Sequence, residues 1–147
     1  MRFVKTIALT TKGAQWRFVV ANFHLTPAII ELAYELLRGT LPYRRWKLPE
    51  VDDVIFHATK IRGCYGDSQH THDGPGRGTV RRDFTIRINV EDGNTLSGLL
   101  AILAHEMIHL ADDVAWHRND VAHGRAFKTR EKLVRRYHDF SYHELWQ

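Results

Sequence analysis

The sequence predicts an α+β fold, in which a small antiparallel or mixed sheet packs with an N-terminal helix, a central helix and a C-terminal helix. Three segments show the apolar spacing of amphipathic helices, and the segment before the second of them alternates apolar and polar residues as a strand does. A chain of 147 residues is the length of one domain that buries its own core. We therefore expect residues 1–147 to form a single domain, with an N-terminal extension at 1–25 and a core at 26–138.

The N-terminal part of the chain is predicted to hold a hairpin and the first helix. A β-hairpin over Arg2–Phe23 is one interpretation, and a single strand that leads into the helix is the alternative. The helix should begin after Thr26, because threonine is a favoured N-cap and Pro27 suits the first helical position. Gly39 and Pro42 should end it. Its apolar stripe is predicted to contain Ile29, Ile30, Ala33, Leu36 and Leu37.

The middle of the chain is predicted to hold the strands. Val51–Thr59 has the alternation of a strand, and Lys60–Tyr65 is a candidate partner for it. Gly66–Thr79 is predicted to be a loop because it is rich in glycine. Asp83–Val90 is the clearest strand, since apolar and polar residues alternate along it. If it lies at an edge of the sheet, its backbone could bind an extended peptide as an added strand; an edge strand without a partner is the alternative.

The central helix carries the strongest functional signal. His105, Glu106 and His109 form the pattern H-E-x-x-H, which is typical of zinc-dependent hydrolases. Residues four apart lie one turn apart on the same face of a helix, so two imidazoles can reach one metal ion. Glu106 lies on the flank of that face, where it could take a proton from a zinc-bound water. A pair of structural histidines is the alternative.

The surroundings of the motif indicate a buried helix. Apolar residues recur around it at helical spacing, and Thr95 is placed to cap its start. Buried imidazoles and a buried carboxylate cost free energy unless they are paired or bind a metal, which favours the metal interpretation over a chance match. The predicted apolar residues of this helix are Leu99, Leu100, Ile102, Leu103, Ile108 and Leu110.

The histidines outside the motif provide candidates for a third ligand. Those downstream are His117, His123, His138 and His143. His123 lies where the chain enters the last predicted helix, so its position can be fixed rigidly. The apolar stripe of that helix is predicted to be Phe127, Leu133, Val134 and Tyr137. A second candidate metal site lies in the glycine-rich loop, with exposed loop histidines as the alternative; its members are His70, His72 and Asp73.

The positive charge is concentrated near the C-terminal helix. The chain has a net charge of +4, whereas Arg118–Arg136 alone has seven basic and two acidic residues, a net charge of +5. A local basic face attracts polyanions, above all nucleic acid, although a basic side that simply faces water is the alternative. The candidate DNA contacts are Arg125, Lys128, Lys132, Arg135 and Arg136. Tyr43–Lys47 is a second basic and aromatic segment, which could contact a nucleic-acid backbone and stack on a base. We favour the alternative, a solvated loop with Trp46 packed on the core.

Cysteine content and hydropathy limit the classes of protein to which this sequence can belong. Cys64 is the only cysteine, so the chain forms no internal disulfide, and an all-histidine metal site fits better than a thiolate site. No secretory signal is evident at the N-terminus, and no apolar run approaches the length of a membrane span. We expect a cytoplasmic protein without a membrane partner. The sequence contains no signal that indicates the number of subunits.

Two motifs together resemble those of a known family. His105–His109 followed by His123-Gly-x-x-Phe127 is similar to the pattern of the SprT-like zinc metalloproteases, which include Spartan. The predicted order of elements over Thr26–His138 also agrees with that family: a helix, two strands with a turn at Gly63, a further strand and the zinc helix. The chain departs from the family in having no zinc-ribbon cysteines and no counterpart for residues 1–25.

The resemblance implies a compact minimal zincin fold and a zinc-dependent endopeptidase activity. It implies one Zn²⁺ ion held by His105, His109 and His123, with Glu106 as the general base. His117 is the competing third ligand on position alone, because it lies eight residues after His109 and could be reached if the zinc helix ended early. It also implies that the strand before the zinc helix lines the substrate cleft, through Thr85, Ile86, Arg87 and Ile88. The implied substrates are proteins or peptides, including DNA-associated proteins; a DNA-associated binding protein with weak or absent protease activity is the alternative. Candidates for stabilising an oxyanion are Tyr137, His138, Tyr142 and His143.

Overall fold

The computed structural model describes residues 23–72, 82–114 and 122–145. The elements in these ranges are, in chain order, α1 (Pro27–Arg38), β1 (Val54–Thr59), β2 (Gly66–His72), β3 (Arg82–Asn89), α2 (Leu96–Val114), α3 (Arg125–His138) and the single turn α4 (Tyr142–Leu145). Two 3-10 turns precede β1, at Tyr43–Arg45 and Val51–Asp53. The predicted N-terminal hairpin, Asp73 and His117 lie outside the described residues. Within them, the mixed α+β class and the three predicted helices are confirmed.

The three strands form one sheet with the order β1-β3-β2. β1 pairs with β3 in parallel, and β2 pairs with β3 antiparallel, so the sheet is mixed. Lys60–Tyr65 connects β1 to β2, so the prediction that it pairs with the first strand is wrong. The strand at 83–90 is not at an edge, because β3 is hydrogen-bonded on both sides, so the condition for adding a peptide to it is not met. Among the described strands, β1 and β2 form the edges.

β2 lies in the segment that its glycines predict to be a loop, so that prediction is wrong for residues 66–72. A Cβ on Gly66 would lie 2.7 Å from the Ile102 side chain and 3.1 Å from the Arg87 carbonyl oxygen. A glycine inside a strand allows such a close approach of two elements. Gly66 therefore marks a contact between the sheet and α2 rather than a loop.

α1 begins and ends as predicted. The Thr26 hydroxyl accepts a hydrogen bond from a backbone N–H of the first turn at 3.4 Å, and Gly39 follows the last helical residue. The buried face differs from the predicted stripe, since Leu36 is 63% exposed and Tyr34 is fully buried. The Tyr34 hydroxyl donates to the Pro49 carbonyl oxygen at 2.8 Å, which satisfies its polar group inside the core.

α2 is the central element of the core, and α1, α3, α4, β2 and β3 all pack against it. Its N-cap is the predicted one, because the Thr95 hydroxyl accepts the Gly98 N–H at 3.1 Å. Its buried apolar residues are Leu99, Ala101, Ile102, Leu103, Ala104, Met107, Ile108, Leu110 and Ala111. A helix that is apolar on most sides is held rigidly in a core. No helix in the described part of the chain has the length and apolar character needed to cross a bilayer.

α3 buries a different stripe from the predicted one. Phe127 and Val134 are buried as expected, but Leu133 and Tyr137 are 36% and 45% exposed. Glu131 is buried instead. Positions 127, 131 and 134 share one face of a helix because they are four and three residues apart. The predicted stripe therefore combined two faces of α3.

Candidate metal centre

Three histidine side chains converge beside α2. His105 and His109 lie one turn apart on α2, and His123 is the second residue before α3 begins. Their Nε2 atoms lie 3.0 to 3.1 Å from one another. His123 adopts a left-handed φ of 66°, a conformation that histidine tolerates better than β-branched residues do. The fold thus brings together the three predicted ligands.

The spacing of the three nitrogens fits a single cation. Imidazole nitrogens lie about 2.0 to 2.1 Å from a tetrahedral zinc ion, which places them about 3.3 Å from one another. Each ring nitrogen of a neutral imidazole is either a donor or an acceptor, so at least one pair in a triangle of three is alike and cannot form a hydrogen bond. A cation would satisfy all three lone pairs at once. His105, His109 and His123 could therefore hold a metal ion.

The tautomer of His105 is fixed by Leu145. The Nδ1 atom of His105 lies 2.6 Å from the Leu145 carbonyl oxygen, and a carbonyl oxygen only accepts hydrogen bonds. Nδ1 therefore carries the hydrogen, and Nε2 of the neutral ring carries the lone pair. This lone pair faces His109 and His123, which is the arrangement that a metal ligand needs.

Burial keeps the three imidazoles neutral. It lowers the pKa of His105 to about 4, although the hydrogen bond to Leu145 acts in the opposite direction. Burial lowers the pKa of His109 to about 3, with further lowering by the other two histidines. The pKa of His123 is lowered mainly by burial as well. All three rings are therefore available as neutral ligands at pH 7.

Phe127 packs against the whole histidine cluster. Its ring centroid lies 4.9 Å from that of His105, 4.7 Å from that of His109 and 4.6 Å from that of His123. Phe127 is 1% exposed, so the three imidazoles rest on a side chain that has little freedom to move. In the spacing His-Gly-x-x-Phe, the histidine lies just before α3 and the phenylalanine lies in its first turn. The left-handed backbone at His123 allows the two rings to meet.

Glu106 lies beside the cluster, on the side of α2 that faces β2. It is 5% exposed, and burial raises the pKa of its carboxyl group to about 7. A hydrogen bond with Ser68 lowers this pKa, and the nearby Asp67 raises it. A Cβ on Gly66 would lie 3.3 Å from Glu106 Oε1, so the β2 backbone approaches the carboxyl group closely. This carboxyl group can gain or lose a proton near neutral pH.

A cleft of about 480 Å³ gives access to these groups. Its described lining comes from residues 64–68, α2, the segment at 122–123 and the end of α4. Pockets of about 300 to 1,000 Å³ are typical of ligand sites. The three histidines and Glu106 all line this cleft, so one bound molecule could contact the metal site and the carboxyl group together.

The strand predicted to bind substrate does not present a free backbone to the cleft, since β3 is central in the sheet. Its four predicted contact residues alternate between half-buried and buried positions: Thr85, Ile86, Arg87 and Ile88. Arg87 forms a two-point ion pair with Asp67 on β2. The sheet residues that line the cleft belong to β2, at positions 66–68.

The five predicted DNA contacts lie together on the outer face of α3. All are exposed, and we call them the basic stripe: Arg125, Lys128, Lys132, Arg135 and Arg136. At 3.6 residues per turn they fall within an arc of about 100°. This arc lies on the opposite side of α3 from the buried Phe127 and Val134. The basic stripe therefore points away from the histidine cluster.

The remaining candidates from the sequence lie away from the cleft or outside the described residues. None of the four residues suggested for oxyanion stabilisation belongs to the described lining of the cleft. One of them, His138, lies 3.2 Å from the Thr40 hydroxyl and packs on Tyr43. Trp46 also packs on Tyr43, at 5.0 Å between ring centroids, as predicted for a segment folded onto the core. The side chains of His70 and His72 lie outside the described part of the structure.

Two contributors to the site are missing from the predicted set. Ser68 bonds to Glu106 from a segment predicted to be a loop, and only the pairing of β2 with β3 brings it there. Leu145 contributes through its backbone carbonyl, which no residue-type pattern reveals. The nearest signal is the spacing Ser141-x-x-Glu144, a capping-box pattern that predicts the turn carrying Leu145.

Comparison with protein-family models, with curated proteins and with solved structures found no match for this chain. Its function is therefore inferred from the geometry of its own described residues.

Proposed function

We propose that this chain is a zinc-dependent endopeptidase with a minimal zincin fold, as its resemblance to SprT-like proteases implies. The observation that carries the proposal is the convergence of three Nε2 atoms within 3.1 Å of one another, next to a buried carboxyl group in a cleft. A purely structural zinc site usually has four protein ligands and is rich in cysteine. Three histidines beside Glu106 fit a catalytic site better.

Glu106 is proposed as the general base. When bound, zinc would polarise the scissile carbonyl and acidify a water molecule. Glu106 takes the proton from the attacking water and later gives it to the leaving amine. Its pKa, raised to about 7 by burial, suits a group that must accept and then release a proton near neutral pH. The Ser68 hydroxyl holds the carboxyl group in place through its hydrogen bond.

The substrate is proposed to lie along β2 rather than β3. β2 is an edge among the described strands, and its residues 66–68 line the cleft beside Glu106. An extended peptide can add to the edge of a sheet through backbone hydrogen bonds. Such a peptide would pass the histidine cluster with its own backbone carbonyl groups exposed to it.

Glu106→Gln tests this proposal with a matched control. We expect the zinc-loaded wild type to cleave an unstructured protein such as casein, and Glu106→Gln to lower the rate by about 10² to 10⁴-fold while zinc content and fold are retained. Glu131→Gln is the control for the loss of a buried carboxyl group, because Glu131 is equally buried at 4% exposure and does not line the cleft. Its charge acts on His123, so rates are compared at equal zinc content. A zinc-loaded wild type that cleaves no protein or peptide would refute the endopeptidase, and undiminished cleavage by Glu106→Gln would refute the role of Glu106.

Nucleic-acid association is a second candidate function, favoured by one observation. The basic stripe places five exposed cationic side chains on one face of α3. Lysine and arginine on one helix face can contact consecutive phosphates of a nucleic-acid backbone. Because this face lies opposite the buried side of α3, DNA could bind there without covering the cleft. Proteolysis of DNA-associated proteins would combine the two functions.

A further inference from the structure

We infer that the turn Ser141–Leu145, which we call the closing turn, positions His105 for metal binding and sets the metal affinity of the site. This inference rests on the metal site of the proposed function but not on its protease activity. The observation behind this inference is the contact between Leu145, the last residue of α4, and His105, the first histidine of the motif. Leu145 thus acts through His105 and is a positioning residue.

The closing turn is anchored on α2 by Leu145. The side chain of Leu145 is 2% exposed and belongs to the hydrophobic core, and α4 packs against α2. The backbone carbonyl of the same residue accepts the Nδ1 hydrogen of His105 at 2.6 Å. A burial contact and a hydrogen bond therefore act at one residue, and the position of the carbonyl depends on the buried side chain.

The turn is also stabilised internally and from α3. The Ser141 N–H donates to the Glu144 carboxylate at 2.7 Å, and the Glu144 N–H donates to the Ser141 hydroxyl at 3.2 Å. This reciprocal pair is a capping box. The Arg135 guanidinium lies 5.7 Å from the centroid of the Tyr142 ring, over its face. The closing turn is thus held by its own capping box and by contacts with both α2 and α3.

The hydrogen bond from His105 Nδ1 to Leu145 has three consequences for a metal site. With Nδ1 as donor, the lone pair of the neutral ring is on Nε2, so the lone pair points at His109 and His123 without a change of tautomer. The hydrogen bond also fixes the ring orientation and increases the basicity of the ligand. Loss of such an outer contact typically lowers metal affinity by about 10- to 100-fold.

A pair of matched leucine variants tests the inference in the full chain. Leu145→Ala and Leu37→Ala each shorten a buried leucine, at 2% and 4% exposure, but Leu37 lies on α1 and is not among the residues that line the cleft. We expect Leu145→Ala to lower the affinity for Zn²⁺ by about 10- to 100-fold, and to change the visible spectrum of the Co²⁺-loaded protein. Leu37→Ala should lower stability similarly and leave both metal measurements close to wild type. Equal zinc affinities in the two variants would overturn the inference.

A metal-free measurement separates this inference from the proposed function. The ¹⁵N chemical shifts of the His105 ring in the chelated wild type should show the Nδ1–H tautomer, and Leu145→Ala should show a mixture of tautomers. Leu37→Ala should keep the wild-type shifts. An Nε2–H tautomer in the wild type would refute the inference, even if the loaded protein cleaves peptides. Conversely, an inactive protein with these expected shifts would refute only the protease.

Discussion

The two faces of α3 differ in what holds their residues in place. The inner face places Phe127 within 5 Å of three imidazole rings, so each of its positions is determined by packing. The outer face carries the basic stripe, whose side chains are exposed and are related chiefly by helical spacing. Changes on the inner face should therefore affect stability and metal binding. Changes on the outer face should affect mainly salt-dependent association, except at Arg135, which also packs on Tyr142 of the closing turn.

The largest effect is expected from removing one of the three histidines that Phe127 contacts from the inner face of α3. If zinc binding contributes about 10 to 16 kcal/mol and three histidines share it, His109→Ala should cost about 4 kcal/mol, or roughly a thousandfold in affinity. His138→Ala is the control, because His138 is also partly buried but contacts Thr40 and Tyr43 instead. Zinc competition titrations would measure both affinities. Equal affinity in the two variants would show that His109 is not a ligand.

The next effect concerns Glu106 in the metal-free protein. Burial raises its pKa from 4.5 to about 7, so the folded state binds a proton more tightly than the unfolded state. Its contribution to stability is present below pH 4.5 and is lost as the pH rises towards 7, by about 3 kcal/mol in total. The pKa values of His105 and His109 are lowered instead. These histidines therefore reduce the free energy of unfolding as the pH falls below 6.5.

Comparison of the wild type with Glu106→Gln isolates the contribution of Glu106, because the histidines contribute equally to the pH dependence of both proteins. We expect the free energy of unfolding of the wild type, minus that of the variant, to fall by about 3 kcal/mol between pH 4.5 and 7.5. Urea denaturation of the chelated proteins at several pH values measures this difference. A difference that does not change with pH would mean that the carboxyl group is not desolvated as the geometry indicates.

The contrast between the faces of α3 can be measured directly with two apolar residues. Phe127→Leu should destabilise the metal-free protein by about 1 to 2 kcal/mol, because a smaller side chain leaves space beneath the imidazoles. Leu133→Ala, at a position that is 36% exposed, should change stability by about 0.5 kcal/mol or less. Denaturant unfolding compares the two. Similar losses would show that the outer face of α3 is packed more firmly than its exposure indicates.

The helices and the placement of the two motif histidines on one face of α2 could be predicted because their signals are local. Thr26 and Thr95 both cap helices, as their residue type and position indicate. The spacing of His105 and His109 on one helix follows from helical geometry alone. The position of His123 depends on a left-handed φ of 66° and on long-range packing, and the resemblance to a family rather than the periodicity identified it.

The rest of the site depends on contacts between segments far apart in the chain. β2 has a polar and glycine-containing sequence, so only its pairing with β3 makes it a strand. The same pairing makes β3 central and leaves β2 as an edge among the described strands. The Leu145 carbonyl is a backbone atom and has no residue-type signature. Buried Glu131 replaced Leu133 on the inner face because helix phase, rather than hydrophobicity, decides which side faces the core.

The smallest effect per residue is expected on the outer face, where interactions with phosphates are screened by salt. The test variant neutralises three positions of the basic stripe: Lys128→Gln, Lys132→Gln and Arg136→Gln. It should bind duplex DNA more weakly than the wild type. The slope of log affinity against log salt concentration should become shallower by about 0.9 for each phosphate that the protein no longer neutralises. The control removes the same charge from exposed positions spread outside α3, with Lys47→Gln, Lys60→Gln and Arg62→Gln. Fluorescence anisotropy across a salt series measures both slopes. Equal weakening in the two triple variants would mean that net charge, and not the arrangement on α3, attracts DNA. Casein cleavage should be unchanged in both triple variants, because none of the substituted residues lines the cleft.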